Sequence, residues 1–323
     1  MKVIPISDIE NVCIGQVENA AAATGCTVLV SEKGMPAGLD VRGGGPASRE
    51  SELLKPTAAA QLIHAIVLSG GSAFGLGAAD GVMRCLAEHD IGFDTGICKV
   101  PLVCQSDIFD LGIGRSDVYP GSQDGYRAAQ CALSGGNFRD GNFGVGCGAT
   151  VGKWHGMRDC MKSGVGSFAV QLGELKVGAV VCVNALGDVY DAHSGQQIAG
   201  LLNEAHTGLL DTVSQMCTGI EAVENKFTGN TTIGVILTNG AFDKTRLCKI
   251  SSMAHNGYAR AIRPVHTSAD GDSIYAVSVG NVSADQDLVG TLAADVMAEA
   301  IVNAVTSCDS LAGYPSLRDL HLN

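Results

Sequence analysis

Thr231 heads an apolar, β-branched run, Thr231-Thr232-Ile233-Gly234-Val235-Ile236-Leu237-Thr238, and follows the small flexible pair Gly229-Asn230. This arrangement suits a self-cleaving hydrolase. The Thr231 hydroxyl can attack the carbonyl carbon of Asn230, shift the chain from amide to ester, and be freed by water as a new N-terminal threonine. Such a residue carries a nucleophile and a base, its own α-amine, together. The same residues also describe an ordinary core strand after a turn, since threonine favours strands and Gly-Asn favours turns.

Amide hydrolysis also needs an oxyanion donor and groups that fix the amine. Three segments offer them. Lys162 lies in Met161-Lys162-Ser163-Gly164-Val165-Gly166, where glycines let a lysine reach into a site; the other reading is a solvated surface lysine. Asn184 closes the apolar run Val177–Val183, and an amide at the mouth of a buried strand can donate to an oxyanion or hold the nucleophile. It can equally form a turn. Asp270-Gly271-Asp272 precedes another β-branched run. Its carboxylates can orient an α-amine or perturb a neighbouring lysine, or else bind a cation or cap a turn.

Short β-branched runs alternate with longer helical ones to position these groups. The pattern predicts strands near Cys26–Val30, Ala65–Ser69, Val145–Gly152, Val165–Gln171, Val177–Asn184, Thr231–Thr238 and Ser273–Val279. It predicts helices near Ser72–Glu88, Gly121–Leu133, Gln197–Gly208, Lys244–Ile262 and Ala284–Ser307. In the last, Leu288, Leu292, Val296, Ala300 and Ala304 recur at four-residue steps. Gly173-Glu174 between two apolar runs reads as a hairpin, and helices are expected from Gln197 to about Glu221. The polar segment Glu224–Asn230 reads as an exposed, flexible loop, a sensible place for a cut. Strands grouped in hairpins with helices between them favour a layered α+β domain over a βαβ repeat.

Bulk properties narrow the function. The 323 residues include 21 Lys+Arg against 33 Asp+Glu, a net charge of -12 that gives no general attraction for nucleic acid or anionic lipid. Neither partner is expected. Forty-three glycines point to many tight turns and close backbone approaches. Twelve cysteines without a Cys-x-x-Cys pair or a signal-type N-terminus are expected as reduced, mostly buried thiols in a cytoplasmic protein. Cys147, His155 and Cys160 lack familiar zinc spacing. No uninterrupted apolar run reaches a membrane span, and the best candidate, Ile63 to Val82, carries His64 and Asp80.

Two glycine motifs are set aside. Gly70-Gly71-Ser72-Ala73-Phe74-Gly75 could cradle a phosphate or carboxylate at a helix start, but it fits neither the dinucleotide fingerprint nor a nucleophile elbow. Gly152-Lys153 resembles the end of a phosphate loop, but Cys147 replaces its first glycine and Trp154 its Ser/Thr.

Taken together, the motifs resemble the self-processing aminopeptidase/esterase family. That family includes the L-aminopeptidase/D-esterase, the β-peptidyl aminopeptidases and the endo-type 6-aminohexanoate-oligomer hydrolases. The resemblance runs from Asn11-Val12-Cys13-Ile14-Gly15-Gln16 through Val41-Arg42-Gly43-Gly44-Gly45-Pro46 and Leu68-Ser69-Gly70-Gly71-Ser72-Ala73-Phe74-Gly75-Leu76. It continues through Ile108-Phe109-Asp110-Leu111 and Asn230-Thr231-Thr232-Ile233-Gly234 to Ala259-Arg260-Ala261-Ile262-Arg263-Pro264-Val265-His266-Thr267 and Asp270-Gly271-Asp272.

The resemblance implies an α+β fold, an αββα sandwich similar to N-terminal-nucleophile hydrolases but with distinct strand connectivity. It implies one domain, 1–323, cut between Asn230 and Thr231 into chains 1–230 and 231–323 that stay associated in a homo-oligomer, tetramer-like. Thr231 is then the nucleophile. Tyr119, Lys162 and Asn184 fall where the family places residues that line or assist it. Asp270 and Asp272 resemble the acidic pair of the oligomer-hydrolase branch. The aminopeptidase branch starts its small chain with serine and carries Ser and Glu near this loop, so the chain departs from it. The expected activity is hydrolysis of amide bonds in small peptides, amino-acid amides or amide oligomers through an acyl-enzyme, without metal or organic cofactor. The alternatives are a non-catalytic binding or scaffold protein on the same fold and an acyltransferase using the same intermediate.

Overall fold

A computed structural model describes residues 1–218 and 229–320. Its strands are β1 (Lys2–Ile4), β2 (Cys13–Asn19), β3 (Thr24–Met35), β4 (Ala37–Val41), β5 (Ala47–Arg49), β6 (Ile63–Ser69) and β7 (Val103–Asp107). They continue with β8 (Val165–Leu172), β9 (Leu175–Asn184), β10 (Thr231–Gly240) and β11 (Ser273–Val282). Four long helices are α1 (Ala78–Glu88), α2 (Ser122–Leu133), α3 (Lys244–Ala261) and α4 (Gln286–Thr306).

The strands form two main sheets, a six-stranded one in the order β1-β8-β9-β10-β11-β4 and a five-stranded one in the order β2-β3-β6-β7-β5. Period-two alternation then builds four layers. Ile66 and Leu68 face an inter-sheet core that also takes Val180, Cys182, Ile233, Val235, Leu237, Tyr275 and Val277. The alternate residues Ala65 and Val67 meet Ala78, Val82, Leu86, Ala128 and Ala132 of α1 and α2. Likewise Val177, Ala179, Val181 and Val183 turn toward Ile250, Ala254, Val296 and Ile301 of α3 and α4. Strands buried on both faces read as continuous apolar runs, and alternation decides which core each residue enters. The order is helices, sheet, sheet, helices, which is the αββα sandwich.

The two C-terminal helices start on aspartate caps. Asp243 accepts from the amide of Arg246 at 2.8 Å, and Asp285 accepts from Leu288 at 2.9 Å. Helix α4 is long and apolar enough to cross a bilayer, with a mean hydropathy of 1.6, but 67% of that stretch is buried. It packs on β8, β9 and α3 as a core helix, and it is a stronger candidate by composition than Ile63 to Val82.

Two expected elements are corrected. Val145–Gly152 is not a strand: Gly144–Gly148 forms a 3₁₀ turn, followed by the two-residue strand Thr150–Val151 paired with Met161–Lys162. The carbonyls of Gly146 and Ala149 accept from Lys162 Nζ as well as from the amides of Ala149 and Ser163, so the buried lysine helps hold the turn. Gln197–Gly208 is not a helix. Gln197–Ala199 is a strand, Gly200 sits at φ 148°, and the Asp188 carboxylate takes the Leu201 amide at 2.8 Å. Of the helical stretch expected to Glu221, the turn Thr212–Met216 is present, and 219–221 lie outside the described residues.

All twelve cysteines are free thiols, and seven of them, Cys26, Cys85, Cys104, Cys147, Cys160, Cys182 and Cys308, are buried.

Candidate active site

Sheet register brings the first two candidates together. Thr231 opens β10 and Asn184 closes β9, and the antiparallel ladder that runs from Val177↔Thr238 ends on the pair Asn184↔Thr231. On the other side β10 runs parallel to β11, with Ile233 beside Ser273 and an isolated bridge joining Asn230 to Asp270. Asp270-Gly271-Asp272 therefore lies alongside Asn230-Thr231-Thr232. Three sequence-distant segments meet at one sheet end.

The bond before Thr231 is tightly held. The Asn230 carbonyl accepts from the Gly271 amide at 3.0 Å and from the Thr231 hydroxyl. Asn230 and Thr231 are 2% and 4% exposed, so this part of the expected exposed loop is buried; Glu224 to Thr228 lie outside the described residues. Gly229, at φ 71°, turns the chain into β10 against the Phe109 ring, where a Cβ would lie 2.3 Å from Cδ1. Only glycine fits both demands. Neither polar atom of the Asn230 side chain has a partner among the described residues.

Asn184 Nδ2 donates to the carbonyls of Phe109 and Gly229, both at 3.0 Å. Its Oδ1 accepts from the Thr150 amide at 3.1 Å and from Lys153 Nζ at 2.8 Å. The amide is thus fixed in orientation by donors on one side and acceptors on the other.

The lysine in this network is Lys153, not Lys162. Lys153 Nζ reaches Asn184 Oδ1, the Asn184 carbonyl at 3.0 Å and the Gly229 carbonyl at 2.8 Å. Burial pulls its ammonium down to about 8, with Cys160 and Asp270 among the groups that resist the shift. Three oxygen acceptors match the three N–H bonds of an ammonium, so the group is a cation at neutral pH. Lys162 is also fully buried, but its Nζ donates to the carbonyls of Gly146 at 2.9 Å, Ala149 at 3.1 Å and Ser163. All three of its donors are spent on backbone, and burial lowers its pKa as well. Lys162 ties the glycine-rich turn to its neighbouring strand, and among the described residues it makes no hydrogen bond to Thr231 or Asn184.

The two aspartates brace the loop beside Thr231. Asp272 Oδ1 accepts from the Thr232 amide at 2.7 Å, and its Oδ2 accepts from His266 N at 3.0 Å and Nδ1 at 2.9 Å. Asp270 accepts from the Thr267 amide at 2.9 Å, the Thr267 hydroxyl, and the Leu186 amide at 3.4 Å. Burial and then the Asp272 charge push its carboxyl up to about 6. It remains an anion at neutral pH.

Tyr119 stands further out. It is 39% exposed and stacked on Phe74, with 4.9 Å between ring centroids. It connects inward through Gly71, whose added Cβ would lie 2.6 Å from Tyr119 Cβ, and Gly71 N donates to Asp110 Oδ1 at 2.7 Å. The neighbouring Phe109 supplies the carbonyl that Asn184 holds. The amides of Gly70, Gly71 and Ser72 are all committed, to Gly25 O, Asp110 Oδ1 and Ile108 O, so these three cradle no anion. Among the described residues no group of three His, Cys, Asp or Glu is arranged to hold a metal.

Sequence reasoning missed Lys153 because it was weighed only as the tail of a phosphate loop. A usable signal was present: a single lysine enclosed by Ala149-Thr150-Val151-Gly152 and Trp154 has little polar company.

Residues 5–317 match the peptidase family S58 profile. The chain belongs to peptidase family S58. Membership makes it a hydrolase of amide bonds, and the match is the family whose resemblance the motifs carried. The S58 chain is 34% identical to an uncharacterized aminopeptidase of Mycobacterium bovis, across 98% of its own length and 97% of that protein. It is 29% identical to a 6-aminohexanoate-oligomer endohydrolase of Kocuria sp., across 92% of this chain and 84% of the other. Among solved structures it superposes on the L-aminopeptidase D-Ala-esterase/amidase of Ochrobactrum anthropi with a TM-score of 0.68 at 18% identity, covering 96% of this chain and 88% of that one. A β-aminopeptidase of Burkholderia sp. gives 0.66 at 20% identity, over 97% and 90% of the two chains. At such identities the likeness speaks to fold alone, and the Ochrobactrum enzyme is described as a variant of the Ntn hydrolase fold.

Proposed function

We propose that this S58 hydrolase matures by cutting itself between Asn230 and Thr231 and then uses Thr231 as an N-terminal nucleophile on amide substrates. The observation that carries the reading is the geometry of the Asn230 carbonyl, which meets both the Thr231 hydroxyl and the Gly271 amide. In maturation the Thr231 oxygen bonds to the Asn230 carbonyl carbon while Gly271 N–H supports the developing oxyanion. The C–N bond breaks, the nitrogen takes the hydroxyl proton, and water hydrolyses the ester to an Asn230 carboxylate and a free Thr231. The Asn230 side-chain amide, without a partner among the described residues, supports the same direction, because a buried polar group without a partner costs about 1–3 kcal/mol that a freed chain end can shed.

In turnover the Thr231 α-amine takes the hydroxyl proton as the oxygen attacks the substrate carbonyl. Asn184 Nδ2, released from Gly229, donates to the oxyanion, and the Lys153 ammonium stabilises the charge beside it. Asp270 and Asp272 hold the loop and supply negative charge toward an amine. Tyr119 lines the approach. The amine leaves, and water resolves the ester. Substrates are small peptides, amino-acid amides or amide oligomers; the relatives named aminopeptidase and 6-aminohexanoate-oligomer endohydrolase support that range. The cut chains stay together because β10 of the small chain lies between β9 of the large chain and its own β11.

A denaturing gel with N-terminal sequencing of the smaller band tests the cut. The expected result is a 93-residue chain starting at Thr231 beside a 230-residue partner (323 − 230 = 93). A chain that stays whole during days of incubation defeats the reading. A sharper expectation concerns Gly271. A Cβ there would lie 2.7 Å from Thr231 Oγ1 and 2.9 Å from the Gly45 carbonyl. Gly271→Ala is therefore expected to slow maturation by about 100-fold, the effect of disturbing one oxyanion donor, read as the rate at which the small chain appears.

A further inference from the structure

Asp272 is buried, 1% exposed, and its two oxygens serve different partners. Oδ1 holds the Thr232 amide, one residue after the nucleophile. Oδ2 is held twice by a single residue, through the His266 backbone amide and through Nδ1. Bonding to a carboxylate puts the proton on Nδ1, which leaves Nε2 as a bare acceptor. That nitrogen is buried and has no partner among the described residues. His266 also sits at φ 58°, a left-handed conformation that histidine seldom adopts, so its place is held against a backbone cost.

The pocket around it is built from aromatic rings. His255 lies edge-on at 4.7 Å between centroids, and Tyr258 is tilted at 5.9 Å. His255 Nε2 donates to the Asp40 carbonyl at 3.1 Å, so its Nδ1 is bare too and likewise without a partner among the described residues. Burial holds the His255 imidazole down at about 4. The ring of His266 thus lies among Asp272 on its own loop and His255 and Tyr258 on α3.

We propose that His266 is a positioning residue for the nucleophile: it holds the Asp272 carboxylate on the Thr232 amide and thereby fixes the head of β10. The inference rests on the reading of Thr231 as nucleophile.

The test uses full-length protein with His266→Ala, His266→Asn and Thr231→Ala in parallel. Asparagine tolerates a left-handed backbone and offers a side-chain N–H to the carboxylate. Three measurements are made: the rate at which the small chain appears, kcat and KM on an amino-acid p-nitroanilide, and thermal unfolding. His266→Ala is expected to slow maturation and kcat by about 10- to 100-fold with KM little changed, as loss of an orienting partner does. His266→Asn restores both rates to near wild type. A His266→Ala protein with wild-type rates, or a His266→Asn protein as impaired as the alanine variant, overturns the proposal. Where the alanine variant does not fold, His266→Asn decides alone: near wild-type rates support the proposal, and a loss of about 10-fold or more in both rates overturns it. Activity that survives Thr231→Ala overturns the nucleophile reading and this inference together. Thr231 dependence with indifferent His266 variants overturns this inference only.

Discussion

Thr231→Ala is expected to leave the chain as one 323-residue band and to lower amide turnover by about 10⁴- to 10⁶-fold, the range for removing a nucleophile from a site that acts as a unit. Under the proposed function one substitution stops both reactions because the same oxygen serves both, bonding to the Asn230 carbonyl carbon in maturation and to the substrate carbonyl in turnover. The alanine side chain still fits the start of β10, whose ladder with β9 and β11 is made by backbone. Thermal unfolding is expected to stay close to that of wild-type precursor. Thr231→Ser keeps a hydroxyl on Cβ and is expected to mature and turn over, more slowly than threonine. The measurement is a time course of band intensities together with product release from a p-nitroanilide. A Thr231→Ala chain that still yields the 93-residue fragment would falsify the assignment of the nucleophile.

Much of the scaffold for this chemistry was legible from the chain itself. β9 and β10 are β-branched runs buried on both faces, and Gly173-Glu174 announces the hairpin that starts the β8–β9 ladder. Once those strands are placed, Asn184 and Thr231 meet by register. Failures arose where a distant group overrides the local pattern. Ile198, Leu201, Leu202 and Ala205 have helical spacing, but Asp188 bonds the Leu201 and Thr212 amides and pulls this segment into turns. Val145–Gly152 reads as a strand, but its glycines turn the chain and Lys162 holds the carbonyls of Gly146 and Ala149. His266 was visible inside the motif Arg263-Pro264-Val265-His266-Thr267 and drew no role, because its partner Asp272 depends on how the loop folds back.

The lysine exchange sets the second large expectation. Lys153→Met keeps the length and apolar stem of the side chain and removes only the cation, which donates to Asn184 Oδ1, Asn184 O and Gly229 O. Turnover is expected to fall by about 100- to 1,000-fold, the effect of deleting one group that stabilises developing oxyanion charge. Lys162→Met deletes an equally buried cation, but one whose three donors serve the carbonyls of Gly146, Ala149 and Ser163. Losing the charge-assisted hydrogen bonds, although Ala149 N still donates to the Gly146 carbonyl and Ser163 N to that of Ala149, is expected to cost about 1.5–3 kcal/mol, so the melting temperature falls by roughly 3–12 °C. The folded fraction is expected to keep its kcat to within a few-fold. Stability against pH gives a further readout of Lys153, beside a slope of the same sign from Lys162, whose pKa burial also lowers. Lys153 loses its proton at about 8 in the folded chain but near 10.5 when unfolded, so the unfolded state binds more protons between those values. Stability therefore rises with pH across that window in the wild type, and Lys153→Met removes this contribution. Calorimetric scans from pH 7 to about pH 10, the range that brackets the lysine titration, beside kinetics at pH 7, measure both effects. If Lys162→Met loses turnover while Lys153→Met keeps it, the two lysines have been exchanged, and the contact with Gly229 is then a brace for the chain rather than part of the chemistry.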